Sequence, residues 1–271
     1  MHEHPGHHGA DALGAWSQAA PLLLLSGILL VVYVSAAANT RSTSRPWSSW
    51  RTTFWIAGCA VVAVAASPLL AEHGDLRSHM VQHILLGMIA PLGLVLGRPM
   101  SLLLRTASPP ARRGISKVLR SSPLRVLGHP VTAALLSAGG LYAVLLTPLY
   151  AAAGDHPILH LGVQLHYLAA GSLFTFSVVA ADPVPHRPGP AFRVLVVFLA
   201  AAAHAVLAKY LYAHAATLPL SAQHAPEAIR DCAQVMYYGG DIAELLLATA
   251  FFAMWYKRRP RVRTRPLHSR P

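Results

Sequence analysis

Residues 79–96 read HMVQHILLGMIAPLGLVL. After His83 this stretch carries no polar side chain. At about 1.5 Å per residue it nearly crosses the hydrocarbon core of a bilayer as a helix. His79 and His83 are four residues apart, so a helix puts both on one face. Titratable side chains at membrane depth are costly to bury and mark function. Neutral imidazole is also the commonest metal ligand.

The whole chain agrees with a membrane reading. It has 271 residues, 54% of them hydrophobic and 12% charged, and the mean hydropathy is +0.45. Soluble domains carry roughly 25% charged residues. The net charge of +12 could point to nucleic acid. The basic residues fall between apolar runs, however, so the bilayer surface is the expected partner and nucleic acid is not. Met1 to His8 is His-rich and acidic where a secretory signal would be basic. The first apolar run is therefore read as a retained helix. Cys59 and Cys232 form no CxxC, which argues against a thiolate metal site or a redox dithiol.

Seven windows are apolar enough to span: Ala19–Ala38, Phe54–Ala71, His79–Leu96, Pro130–Tyr150, Ile158–Ala181, Phe192–Ala213 and Val235–Tyr256. The predicted fold is an all-α membrane protein, a bundle of seven transmembrane helices. Its parts are a His-rich tail over 1–18, the bundle over 19–256 and a basic tail over 257–271. Nineteen of the 22 Lys and Arg residues collect in alternate gaps and the C-terminal tail. Two, Arg77 and Arg230, fall in the other gaps, and Lys209 lies inside a span. This bias predicts the N-terminus outside, the C-terminus in the cytoplasm, and a multi-pass location in the plasma membrane. In the longest gap, Arg112, Arg113, Lys117 and Arg120 interleave with Ile115, Val118 and Leu119, as in a surface-lying amphipathic helix.

With that orientation, the intramembrane polar residues converge on the outer half of the bundle. His79 and His83 open the third span. His160 and Gln164 sit one turn apart on the fifth, and His166 falls off their face. His204 is near mid-depth on the sixth, with Lys209 further out. Asp241 and Glu244 share a face of the seventh with Tyr237. One depth for so many polar groups predicts one site, opening to the outside. His79, His83, His160, His204, Asp241 and Glu244 are the candidate metal ligands. Imidazole and carboxylate without thiolate suit copper(II), zinc or iron, and the thioethers of Met80 and Met236 could serve copper(I). Each residue also has a plain structural role open to it. His79 could cap its helix, His83 could hydrogen-bond between helices, and His204 or Lys209 could pair with a carboxylate. His156, His214 and His224 read as solvated, and His129, His186 and His268 as cytoplasmic. His2, His4, His7 and His8 read as a tail tract.

The pattern resembles the seven-helix CtaG family of cytochrome c oxidase assembly factors. The likeness rests on His79-Met-Val-Gln-His83, the run to Ala90-Pro91-Leu92, and Gly97-Arg98-Pro99. It continues in His129-Pro130, in His160 to His166, and in Gly239-Gly240-Asp241-Ile242-Ala243-Glu244, and covers Phe54 to Tyr256. The seventh span departs from the family in lacking tryptophan and proline beside its glycines. The resemblance implies a factor for building haem-copper oxidase, with oxidase subunits as partners and copper handled on the outer face. It implies a protein that is not an enzyme. Two other readings of the residues stay open. One is a seven-helix intramembrane zinc hydrolase, with His79, His83, His160 or His204 as ligands and Asp241 or Glu244 as general base. The other is a cytochrome b-like bundle in which His83 and His160 clasp a haem.

Overall fold

The computed structural model describes residues 7–40, 46–71, 76–179, 181–182, 188–220 and 224–258. Among the described residues every regular element is helical. The chain runs α1 (His7–Ala38), α2 (Ser49–Ala66), the single turn α3 (Pro68–Ala71) and α4 (Leu76–Ile84). α4 passes through a π-helical turn, Leu85–Ile89, into α5 (Ala90–Leu96). Then come α6 (Pro99–Thr106), α7 (Pro109–Leu119), α8 (Ser122–Leu127) and α9 (Pro130–Leu146). The last elements are α10 (Leu149–Asp155), α11 (Pro157–Val179), α12 (Pro190–Ala213) and α13 (Pro226–Arg258).

Among the described residues six helical stretches are long and apolar enough to cross a membrane, and they match six of the seven windows. The fourth window differs. Its helix stops at Leu146, and Leu149–Asp155 turns away by 78°. Pro148 is the cause. It has no N–H to continue the ladder and drives the preceding residue out of the α region. Thr147 accordingly sits at φ −124°, ψ 171°. The helix α1 also begins well before the first window, at His7. His2, His4, His186, His268, and the loop residues Glu72, Gly74 and Asp75 lie outside the described residues, as does the chain beyond 258.

Burial separates centre from periphery. The Leu76–Leu96 rod is 61% buried and α11 56%, whereas the other four spans are 22–33% buried. The spans that carry His79, His83, His160 and Gln164 are thus the two wrapped by the rest. Outward faces carry large apolar side chains such as Leu24, Ile28, Phe198 and Leu245. That inverted pattern belongs to a multi-pass membrane bundle. Polar contacts lock α1 on: the Tyr33 hydroxyl donates to the Gly97 carbonyl at 2.7 Å, Trp55 Nε1 to Leu29 at 3.1 Å, and Ser26 to Cys59 at 2.8 Å.

The end of the bundle that carries Arg98 to Arg125 and Lys257 is its basic end. There the segment expected to be amphipathic forms α7, on which no side chain is buried. Fully buried Asp182 accepts hydrogen bonds from the Ser101 N–H, at 2.9 Å, and from its hydroxyl. That carboxylate satisfies the start of α6 and ties it to the segment following α11.

The π-turn follows from the sequence too. Pro91 cannot donate to the Gly87 carbonyl, and its ring would crowd that oxygen in a regular helix. The wider turn relieves the clash, with the Ala90 N–H donating to Leu85 five residues back. Gly171 of α11 packs against the freed Gly87 carbonyl, where a Cβ would overlap the oxygen.

Candidate metal centre

The polar residues of the core fall into two tiers along the central rod. The tier farther from the basic end consists of two hydrogen-bonded groups, one around His79 and one around Gln164. His79 Nε2 lies 3.3 Å from the Tyr167 hydroxyl. His160 Nε2 is 2.9 Å from the Gln164 amide nitrogen, which also donates to Gln82 Oε1 at 3.4 Å. Spacing on α11 explains the set, because 160, 164 and 167 fall on one helical face. His166, off that face as the sequence reading had it, turns to α9 and bonds the Leu136 carbonyl at 3.1 Å.

The second tier lies one turn deeper. Its members are His83, His204 and Glu244. The rings of His83 and His204 are 5.9 Å apart, and His204 Nδ1 is 3.6 Å from Glu244 Oε1. Tyr167 stands edge-on to His83 at 4.7 Å and so separates the tiers. Gly240 makes room for His204: a Cβ there would strike the imidazole. The glycine pair therefore has a packing reason, since Gly239 likewise faces Ile84.

The two tiers differ in how they are satisfied. His83 and His204 are buried, at 4% and 8% exposure. Both nitrogens of His83, and Nε2 of His204, have no hydrogen-bond partner. Leaving such a group unpaired costs about 1–3 kcal/mol each. Both residues border a cavity of about 50 Å³, which Glu244, Met88, Thr175 and Ser137 also line. That space is enough for an ion or a few waters. It lies on the basic-end side of the imidazoles, reaching Ala134 and Val197 near the starts of α9 and α12. The sequence had the site open toward the other end. The walls on this side are alanine, valine and hydroxyl residues without an ionisable signal, so the sequence could not show how far the cavity reaches.

Of the six expected ligands, the structure joins His83, His204 and Glu244. It places His79 and His160 in the neighbouring network. Asp241 is on the exposed face of α13, and so is Lys209 on α12, whose Nζ stands 5.4 Å from the Tyr237 ring. Asp241 makes no hydrogen bond or ion pair among the described residues. Met80 and Met236 are fully buried in the apolar core and do not line the cavity. Met88 does, and sequence reasoning missed it. Among the described residues no group of three or more His, Cys, Asp or Glu is already arranged around a metal. The donor chemistry nonetheless fits an ion, since two buried imidazoles that border one cavity each keep a ring nitrogen without a hydrogen-bond partner. His129 caps α9, accepting from the Val131 N–H at 3.4 Å. His156 and His214 are exposed, and His224 meets the Tyr150 hydroxyl at 3.3 Å.

Residues 31–258 match the model of the Cytochrome c oxidase caa3 assembly factor family, Caa3_CtaG. Among curated proteins, an uncharacterized protein of Mycobacterium leprae is 29% identical over 187 residues, 66% of this chain and 28% of its own length. Uncharacterized proteins of Mycobacterium bovis and Mycobacterium tuberculosis are each 30% identical over 176 residues, covering 61% of this chain and 27% of theirs. The chain thus spans under a third of these relatives. No solved structure matches.

Proposed function

Because the chain belongs to the cytochrome c oxidase caa3 assembly factor family, we propose that it helps to build haem-copper oxidase by holding copper as cargo. The ion sits between His83 and His204, with Glu244 beside them. The observation that carries this reading is the pair of buried imidazoles, His83 and His204, that border one cavity and each keep a ring nitrogen without a partner. Two neutral imidazoles and a carboxylate are good ligands for copper. Glu244 orients His204 and offsets positive charge in a low-dielectric setting, where an unpaired ion is expensive. The network of His79, Tyr167, Gln164 and His160 holds the rod and α11 in register above the site. The partner is an oxidase subunit that receives the ion. No step of this role makes or breaks a covalent bond in a substrate.

The split of basic residues supports an N-terminus outside and a C-terminus in the cytoplasm of a plasma membrane. An enzyme active only outside, fused after Pro271, should then stay silent.

The test of the function is metal content. Protein purified from copper-fed cells should carry copper, and the His83→Ala, His204→Ala double variant should not. The strain with that variant should lack active oxidase while keeping normal amounts of the inserted protein. Stoichiometric zinc in place of copper would move the reading to a zinc hydrolase, and a Soret band would move it to a haem protein. Equal copper in both proteins would remove the site.

A further inference from the structure

Met88 stands five residues after His83. In a regular α-helix five residues carry a side chain about 140° round the axis, onto a different face. The π-turn over Leu85–Ile89 changes that, because its bonds close from i to i+5 and bring residues five apart toward one another. Met88 and His83 accordingly border the same cavity, with His204 and Glu244 across it. The bulge that Pro91 imposes therefore has a chemical consequence. It brings a methionine to the cavity that two imidazoles with unpaired ring nitrogens also border.

We propose that Met88 completes this site as a thioether donor, and that the ion held is copper(I). The proposal rests on the copper reading above and specifies its oxidation state. Two independent features of the cavity point the same way. A thioether is a soft ligand that favours copper(I) over zinc or copper(II). The charge balance agrees: among the described residues Glu244 is the one acidic side chain lining the cavity. Two neutral imidazoles, a thioether and one carboxylate neutralise a monovalent ion, whereas a divalent ion would leave a net charge inside the bundle. The remaining walls are alanine, leucine, valine, phenylalanine, glycine and the hydroxyls of Ser137 and Thr175. None of them adds a charge.

The experiment uses the full chain in detergent, loaded with copper(I) without oxygen. X-ray absorption of the wild type should show a sulfur neighbour together with imidazole nitrogen. Met88→Leu, close in size, should lose the sulfur neighbour. Its copper(I) affinity, measured against a chromogenic chelator, should fall by more than roughly tenfold, the lower edge of what an outer partner of a metal site contributes. Its zinc affinity should stay that of the wild type, which also shows that the site is still folded. Met80→Leu, a change in the core away from the cavity, should leave the sulfur signal in place. Copper bound with nitrogen and oxygen neighbours alone, or a sulfur signal that survives Met88→Leu, would overturn the inference and leave the copper reading standing. A wild type that takes up no copper would overturn both.

Discussion

His79 and His83 lie one turn apart on one face of α4, yet the fold treats them differently. The His79 ring has a hydroxyl at hydrogen-bond distance and packs edge-on at 5.1 Å from Tyr150. His83 lies one turn deeper, is buried, and has no hydrogen-bond partner. The same motif thus yields one imidazole with a hydrogen-bond partner and one without. What separates them is their neighbours on other helices. α11 offers Tyr167, Gln164 and His160 at the level of His79. At the level of His83, α12 and α13 offer His204 and Glu244 around a cavity. A buried polar tier that is fully bonded rigidifies a fold. One left unbonded destabilises it, and its persistence points to something bound there.

The largest effect should come from the unbonded tier. His83→Leu keeps an apolar volume in the core and removes two unpaired nitrogens. Copper binding should fall by more than the 10- to 100-fold typical of an outer partner of a metal site. The metal-free protein should be at least as thermally stable as the wild type, because an unpaired buried group worth about 1–3 kcal/mol has gone. A loss of stability without loss of copper would reverse the assignment of the two tiers.

Next comes Gly240→Ala. The added methyl meets the His204 ring, and overpacking of this kind costs typically about 1–3 kcal/mol. A lower unfolding midpoint and weaker copper binding should appear together. Gly154→Ala, on α10 where a Cβ meets nothing, should change neither. If Gly240→Ala lowered stability but kept full copper affinity, His204 would not be a ligand.

Much of this arrangement was legible in the sequence, and the rest was hidden for physical reasons. Apolar length gave six of the spans, since crossing a bilayer needs about 20 residues. The broken fourth span was also written there, in Thr147-Pro148, although a hydropathy window reads through it. Periodicity placed His160 with Gln164 and set His166 apart. It could not choose between Asp241 and Glu244. Three residues on a helix differ by only about 60° round the axis, and which of them faces α12 is a matter of packing. One is exposed and the other reaches His204. Met88 was out of reach as well, because a π-turn shifts the face of every residue after it. Met80 and Met236 looked closer to the histidines in sequence and ended in the apolar core.

A smaller effect is expected at Glu244. Glu244→Gln keeps the shape and a hydrogen-bond acceptor beside His204 Nδ1 but removes the charge. A group that orients and balances a ligand is worth roughly 10- to 100-fold in metal affinity. The loss should fall in that range, below that of His83→Leu. A loss as large as that of His83→Leu would make Glu244 a direct ligand.

The smallest effect tests the bonded tier. Tyr167→Phe removes the hydroxyl that meets His79 Nε2 at 3.3 Å and keeps the ring that lies 4.7 Å from His83. A single hydrogen bond contributes about 0.5–1.5 kcal/mol net, so the unfolding midpoint should drop slightly. Copper affinity should not change, since His83, His204 and their cavity keep every contact. If the tiers were one site, with His79 and His83 sharing an ion, freeing His79 from its hydroxyl would instead tighten or weaken copper binding. Titrating copper into Tyr167→Phe and wild type side by side separates the two arrangements: coincident curves keep His79 in the scaffold, and diverging curves bring it into the metal site.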